Sequence, residues 1–137
     1  MKHINLKLTR LLKSKCSVYI LFFFYLAAGV NHFINPSFYL PLIPDYLPYH
    51  PTINIISGIA EIILAIAIHF RAIRKVTAYL LILMLVAFIP SHIYFIQEGS
   101  CIQSGLCVAE WIGWARLLVI HPLLIYWALM VGKSADK

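Results

Sequence analysis

Charged side chains are scarce in this chain. Asp, Glu, Lys and Arg make up 12% of its 137 residues, about half the share found in ordinary soluble domains. The acids number only five: Asp45, Glu61, Glu98, Glu110 and Asp136. With 62% hydrophobic residues and a mean hydropathy of +0.87, that scarcity excludes a single soluble globular domain. The haem signature C-x-x-C-H, the pair H-x-x-x-H and any acidic pair at ligand spacing are all absent, so no metal centre is expected. No flavin-binding pattern is present either. The tight C-x-x-C of thiol exchange is also missing.

The base excess of +6 could suggest nucleic acid, but its distribution argues otherwise. Five of the eleven bases, Lys2, Lys7, Arg10, Lys13 and Lys15, fall in the first fifteen residues. Bases are retained on the cytoplasmic side of membranes, so the pattern reads as orientation, and no nucleic-acid partner is expected. A bilayer core about 30 Å thick takes roughly 20 apolar residues of helix. Four stretches qualify: 16–34, 52–70, 76–96 and 111–131. Arg71, Arg74 and Lys75 lie between the second and third, and Lys133 and Lys137 follow the fourth. The two remaining connections hold no base. The fold expected is therefore an all-α bundle of four transmembrane helices with both termini cytoplasmic. Residues 1–15 form a basic cytoplasmic segment, 16–131 the membrane domain and 132–137 a cytoplasmic tail. A bacterial inner membrane is the expected location.

The start also has the features of a signal peptide, with an apolar run ending in Ala27, Ala28 and Gly29; cleavage there would leave three spans. Ile4, Leu8, Leu11 and Leu12 share one helical stripe, which suits a short helix lying on anionic lipid; a frayed basic tail is the competing reading. Between the first two spans, five prolines (Pro36, Pro41, Pro44, Pro48, Pro51) forbid a long helix. Asn35 before Pro36 suits a cap and first turn, so a short helix is expected there. Phe38, Tyr39, Tyr46 and Tyr49 suit a membrane interface. The segment reads as an aromatic lid, or more simply as an anchoring loop.

Polar groups inside the spans are expensive. A charge at mid-membrane costs about 2.5–3.5 kcal/mol on insertion scales. Glu61 lies about 14 Å below the outer end of its span and Arg116 about 7 Å below its own, counted at 1.5 Å per residue. Pairing them, or protonating Glu61, would relieve the cost. His92 lies about 6 Å down and His121 about 15 Å, while Asn31 and His32 close the first span. The outer half thus gathers the polar groups, as a cavity open to that side would. Pro90 and Pro122 free the carbonyls of Val86 and Leu118, which need partners inside the protein. Candidate catalytic residues are Glu61, Arg116, His92 and His121, and candidate ligand contacts are Asn31, His32 and Tyr94. The competing reading is that these groups fix helix register only. His121 counts as too deep to match His32 or His92, which disfavours a haem between spans.

Among the cysteines, Cys16 is expected to pack at the cytoplasmic end. Cys101 and Cys107 share the loop EGSCIQSGLC and can form a disulfide in an oxidising compartment; an exchanging pair or free thiols are the alternatives.

The run GVNHFINPSFYLPLIPDYLP at 29–48 resembles the DoxX-like family of small membrane proteins. Further matches are ISGIAEIILA at 56–65, PSHIYF at 90–95 and EWIGWARLL at 110–118. The chain departs from the family pattern at His92, where Asn is expected, at Leu117–Leu118–Val119 after the arginine, and in its cysteine loop. The resemblance implies a four-helix membrane bundle with Glu61 and Arg116 at polar positions. It also implies association with quinone-linked sulfur oxidation or redox-stress systems, although a eukaryotic relative is a receptor-assembly chaperone. Three functions follow as expectations. One is a redox-linked subunit that binds a quinone, or another apolar small molecule with carbonyls, and takes electrons from a membrane redox partner or thiols. The second is a non-enzymatic assembly or scaffold protein, and the third a lipid-modifying isomerase. The lipid bilayer is a partner in each, and self-association is left open.

Overall fold

The computed structural model describes residues 10–102 and 106–135. The described residues are helical, apart from loops and one isolated antiparallel bridge between Cys101 and Cys107. In chain order they form α1 (Lys15–Ile34), a short α2 (Pro36–Tyr39) with a 3-10 turn (Leu40–Leu42), α3 (His50–His69) and α4 (Arg74–Gln97). The last helix is composite: α5 (Glu110–Ala115), a π turn (Arg116–Ile120) and α6 (His121–Gly132). Among the described residues, four helices are long and apolar enough to cross a membrane: α1, α3, α4 and the composite Glu110–Gly132. Phe23, Ile63, Leu83 and Leu118 are exposed on their outer faces, which is compatible with contact to lipid. The N-terminal stripe residues Ile4 and Leu8, with Lys2 and Lys7, lie outside the described residues.

Neighbouring helices run antiparallel. Tyr19 near the start of α1 meets His69 at the end of α3, and His32 near the end of α1 meets Asn54 near the start of α3. The start of α1, the α3–α4 turn and the tail after α6 share one end of the bundle, around Lys13, Lys15, Arg71, Arg74 and Ser134; we call it the basic end. Ser14 opens α1 by accepting the N–H of Ser17 at 3.2 Å. Arg74 closes α3, donating to the carbonyls of Ile68 at 3.0 Å and His69 at 2.9 Å, where a cation complements the exposed helix C-terminus. At the other end, Asn35 stands at the N-cap of the short α2 with Pro36 in its first turn, as expected, but its side chain makes no capping bond. Its amide reaches back one turn to Asn31 Oδ1 at 2.8 Å.

The bundle is held by a seam of residues spaced three and four apart. On α1 these are Val18, Leu21, Tyr25, Gly29 and His32; on α3 they are Asn54, Gly58, Glu61, Ala65 and Ile68. The helices touch at the two glycines. A Cβ on Gly58 would lie 2.7 Å from His32 Cβ, and one on Gly29 would lie 2.8 Å from the Gly58 carbonyl oxygen. Small residues at such a crossing let backbones approach where no hydrophobic force operates between lipid-bathed helices. Toward the basic end the bundle is filled by Leu21, Tyr25, Ala65, Ile68, Leu81, Ala128 and Val131. The polar seam residues occupy the opposite half.

Cys101 and Cys107 stand at disulfide distance. The Ile102 N–H donates to the Leu106 carbonyl at 2.9 Å, and Val108 N–H to the Ser100 carbonyl at 2.9 Å. Ser100 is fully buried beneath this loop and occupies the space a side chain at position 113 would need. Closing so short a loop is worth about 2 kcal/mol on the chain-entropy view. Cys101→Ser with Cys107→Ser should therefore lower the melting temperature in detergent by roughly 5–10 °C, and reductant should add nothing to that loss. Cys16 does not pack as expected. It is exposed, because the seam turns Ser17 and Val18 inward instead.

Candidate functional site

A cavity of about 300 Å³ occupies the half of the bundle away from the basic end. Its wall is mostly apolar: Leu42, Ile43 and Leu47 from the proline-rich segment, Ile53 from α3, and Phe88 and Phe95 from α4. Four of the residues singled out from the sequence line it: His32, Glu61, His92 and Arg116.

His32 is fixed on three sides. The Asn54 amide donates from Nδ2 to the His32 carbonyl at 3.0 Å, which turns Asn54 Oδ1 toward the ring. That oxygen can only accept, so His32 Nδ1 donates to it at 2.8 Å. Tyr39 stacks on the same ring with centroids 3.6 Å apart and planes 21° from parallel. Asn31 in turn holds Tyr39, donating from Nδ2 to its hydroxyl at 3.0 Å. Burial pushes the Tyr39 phenol above its ordinary range, so it stays a neutral hydroxyl. With Nδ1 engaged, His32 presents Nε2 to Glu61 Oε2 at 3.7 Å. That gap is too long for a hydrogen bond, so Glu61 Oε2 is left open toward the cavity.

Glu61 and Arg116 do not pair. Among the described residues no ion pair joins them; each lines the cavity separately. Glu61 belongs to the α1–α3 seam, whereas the Arg116 guanidinium rests over the Phe95 ring, 5.4 Å from its centroid. Such a cation–ring contact stabilises modestly. Glu61 Oε2 and Arg116 Nη1 are buried without a hydrogen-bond partner among the described residues. An unsatisfied buried polar group costs about 1–3 kcal/mol, and more when charged. Two such atoms on one cavity are unusual, and a ligand carrying both a donor and an acceptor would satisfy them together. Tyr25, two turns from His32 on the seam, also has a buried hydroxyl without a partner.

His92 and His121 meet edge to face with ring centroids 4.9 Å apart, which corrects their expected separation in depth. The helices do not end in one plane. Gly113 of α5 packs beside Ile96 and Ser100, so the composite helix begins beyond the end of α4 and His121 is raised toward His92. Rings in direct contact leave no gap for a porphyrin. His121 Nε2 donates to the Leu85 carbonyl at 2.8 Å, one residue before the Val86 carbonyl that Pro90 deprives of its donor. Pro122 is accommodated by the π turn, in which the His121 N–H bonds to the Arg116 carbonyl. The wider turn belongs to the class often found at functional sites, and it carries Arg116 into the cavity wall.

Tyr94 does not line the cavity; its electrostatic neighbours are Asp45 and Glu98. Asn54, Tyr39 and Phe95 complete the site and were not singled out as ligand contacts from the sequence. A signal for Asn54 existed, since it lies seven residues before Glu61 with Gly58 between, all on one helix face. Tyr39 was marked only as one of four aromatics of a lid or anchoring loop, because its place on His32 depends on the fold of a proline-rich segment. No group of three His, Cys, Asp or Glu is gathered among the described residues.

Among curated proteins and among solved structures the chain has no match. Residues 21–132 match the domain of unknown function DUF8561, which covers more than half of the chain, and the chain belongs to that family.

Proposed function

We propose that this chain is a DoxX-like membrane protein whose cavity binds a quinone, or a similar flat apolar molecule bearing carbonyls, as a subunit of a membrane redox system. The observation that carries the reading is the pair of unpartnered buried groups, Glu61 Oε2 and Arg116 Nη1, on a single apolar cavity. A cavity of about 300 Å³ stands at the lower end of the range for small-molecule sites. Arg116 would donate to one carbonyl oxygen of the ligand. Glu61, beside His32, would exchange a proton with the other. Reducing a quinone to a quinol takes two electrons and two protons. This chain would supply the site and one proton through Glu61, water from the outer side the second proton at the oxygen held by Arg116, and a membrane redox partner the electrons. With the basic end cytoplasmic, both termini lie inside and the cavity belongs to the outer half of a bacterial inner membrane.

A native mass spectrum of the protein released from its own membranes in mild detergent tests this reading. The expected result is a one-to-one adduct of quinone mass that disappears in Glu61→Gln with Arg116→Gln. A phospholipid adduct held by the same two residues would replace the quinone with a lipid substrate. A bare chain accompanied only by a protein partner would make the protein a scaffold and the reading wrong.

A further inference from the structure

A second hollow, of about 530 Å³, opens at the basic end between the start of α1, the α3–α4 turn and the tail after α6. Its chemistry is the reverse of the first cavity. Four cations line it, Lys13, Lys15, Arg71 and Arg74, and no carboxylate does among the described residues. Like charges are gathered here by two separate segments, the start of α1 and the α3–α4 turn, at a cost in mutual repulsion that an anion would remove.

The four cations are not equivalent. Arg74 is committed, bonded to the carbonyls of Ile68 and His69 and to the Ser134 hydroxyl at 3.3 Å. Arg71 uses only Nε, on the Ala135 carbonyl at 3.4 Å. That leaves its terminal nitrogens without a partner among the described residues. Lys13 and Lys15 flank the cap residue Ser14 and have no partner among them either. The first turn of α1 carries no acidic residue, so its unsatisfied N–H groups add positive potential on the same side. Two ammonium groups and a guanidinium fork facing one hollow match the oxygens of a phosphate.

We propose that this hollow binds a phosphate group, supplied by the headgroup of an anionic phospholipid. Its position favours the lipid source. The hollow stands at the helix ends, where headgroups lie, and Tyr19 on its wall is half exposed, beside the apolar outer surface along which acyl chains would run. A basic pocket of this kind between membrane helices is a recurrent way to hold an anionic headgroup.

The test measures retention of phosphatidylglycerol by the full chain in native mass spectra, in parallel with phosphatidylethanolamine. The variants are Lys13→Gln, Arg71→Gln and Lys133→Gln; Lys133 is a base at the same end that does not line the hollow. Each lining variant should lower phosphatidylglycerol retention about five-fold, as expected for one cation near a headgroup, while Lys133→Gln leaves it unchanged. Equal loss in all three variants would overturn the site in favour of diffuse attraction, and equal retention of phosphatidylethanolamine would overturn the charge selectivity. Displacement of the lipid by millimolar inorganic phosphate, sensitive to Lys13 and Arg71, would keep the phosphate site and overturn the lipid as its source. Unchanged melting temperatures in the variants show that binding, not folding, is being read.

Discussion

Glu61→Gln is expected to weaken binding of a short-tailed quinol, whose hydroxyl can donate to the carboxylate, about 10- to 100-fold without lowering the melting temperature of the empty protein. The reasoning starts from what Glu61 lacks. Its Oε2 has no hydrogen-bond partner, and its approach to His32 Nε2 is 3.7 Å. His32 is held by Asn54 on its other nitrogen, so removing the carboxylate leaves that contact intact. Replacing an unpaired buried acid by a neutral amide of the same shape removes a desolvation cost, and stability should hold or rise. The ligand, by contrast, loses a hydrogen bond to a group that can carry charge and exchange a proton. A role confined to helix register predicts the reverse: lower stability and unchanged binding. Titration and melting on one preparation separate the two.

Gly58→Leu should abolish assembly of the bundle, and Gly58→Ala should already destabilise it by about 1–3 kcal/mol, the usual range for overpacking. A Cβ there would lie 2.7 Å from His32 Cβ, 2.9 Å from Phe33 Cε2 and 3.0 Å from the Gly29 carbonyl oxygen. Two of these are a backbone oxygen and a Cβ, which cannot swing aside, so α1 and α3 must separate. Separation would draw His32 from Asn54 and distort the cavity, so Gly58→Ala should lose ligand affinity along with stability. Gly99 provides the comparison. A Cβ there meets nothing within 4 Å, and only its positive φ of 69° opposes substitution, at about 1–2 kcal/mol. Gly99→Ala should therefore leave ligand binding intact. A Gly58→Ala protein with wild-type affinity and melting would refute the close crossing.

The helical crossings were legible because a long apolar run can satisfy its backbone in a bilayer only as a helix. The gathering of polar groups in one half was legible from residue counts along each span. Counting gives height within a helix but neither its rotation nor the offset between helices. Glu61 and Arg116 therefore looked like partners, although one faces the α1–α3 seam and the other lies on Phe95. His121 looked too deep for His92 because α5 starts beyond the end of α4. The seam from Asn54 to Ile68 could have been read from its spacing. Tyr39 could not, since its stack on His32 follows from a turn that prolines permit but do not dictate.

Photolabelling with an azido-quinone in lipid nanodiscs, followed by peptide mapping, tests the central claim most directly. The predicted result is label confined to the cavity wall, around Tyr39, Phe88, Phe95 and Arg116, and suppressed by excess unlabelled quinone. Label spread over outward-facing residues such as Phe23 and Leu83, without competition, would contradict it and leave the quinone a solute of the membrane only.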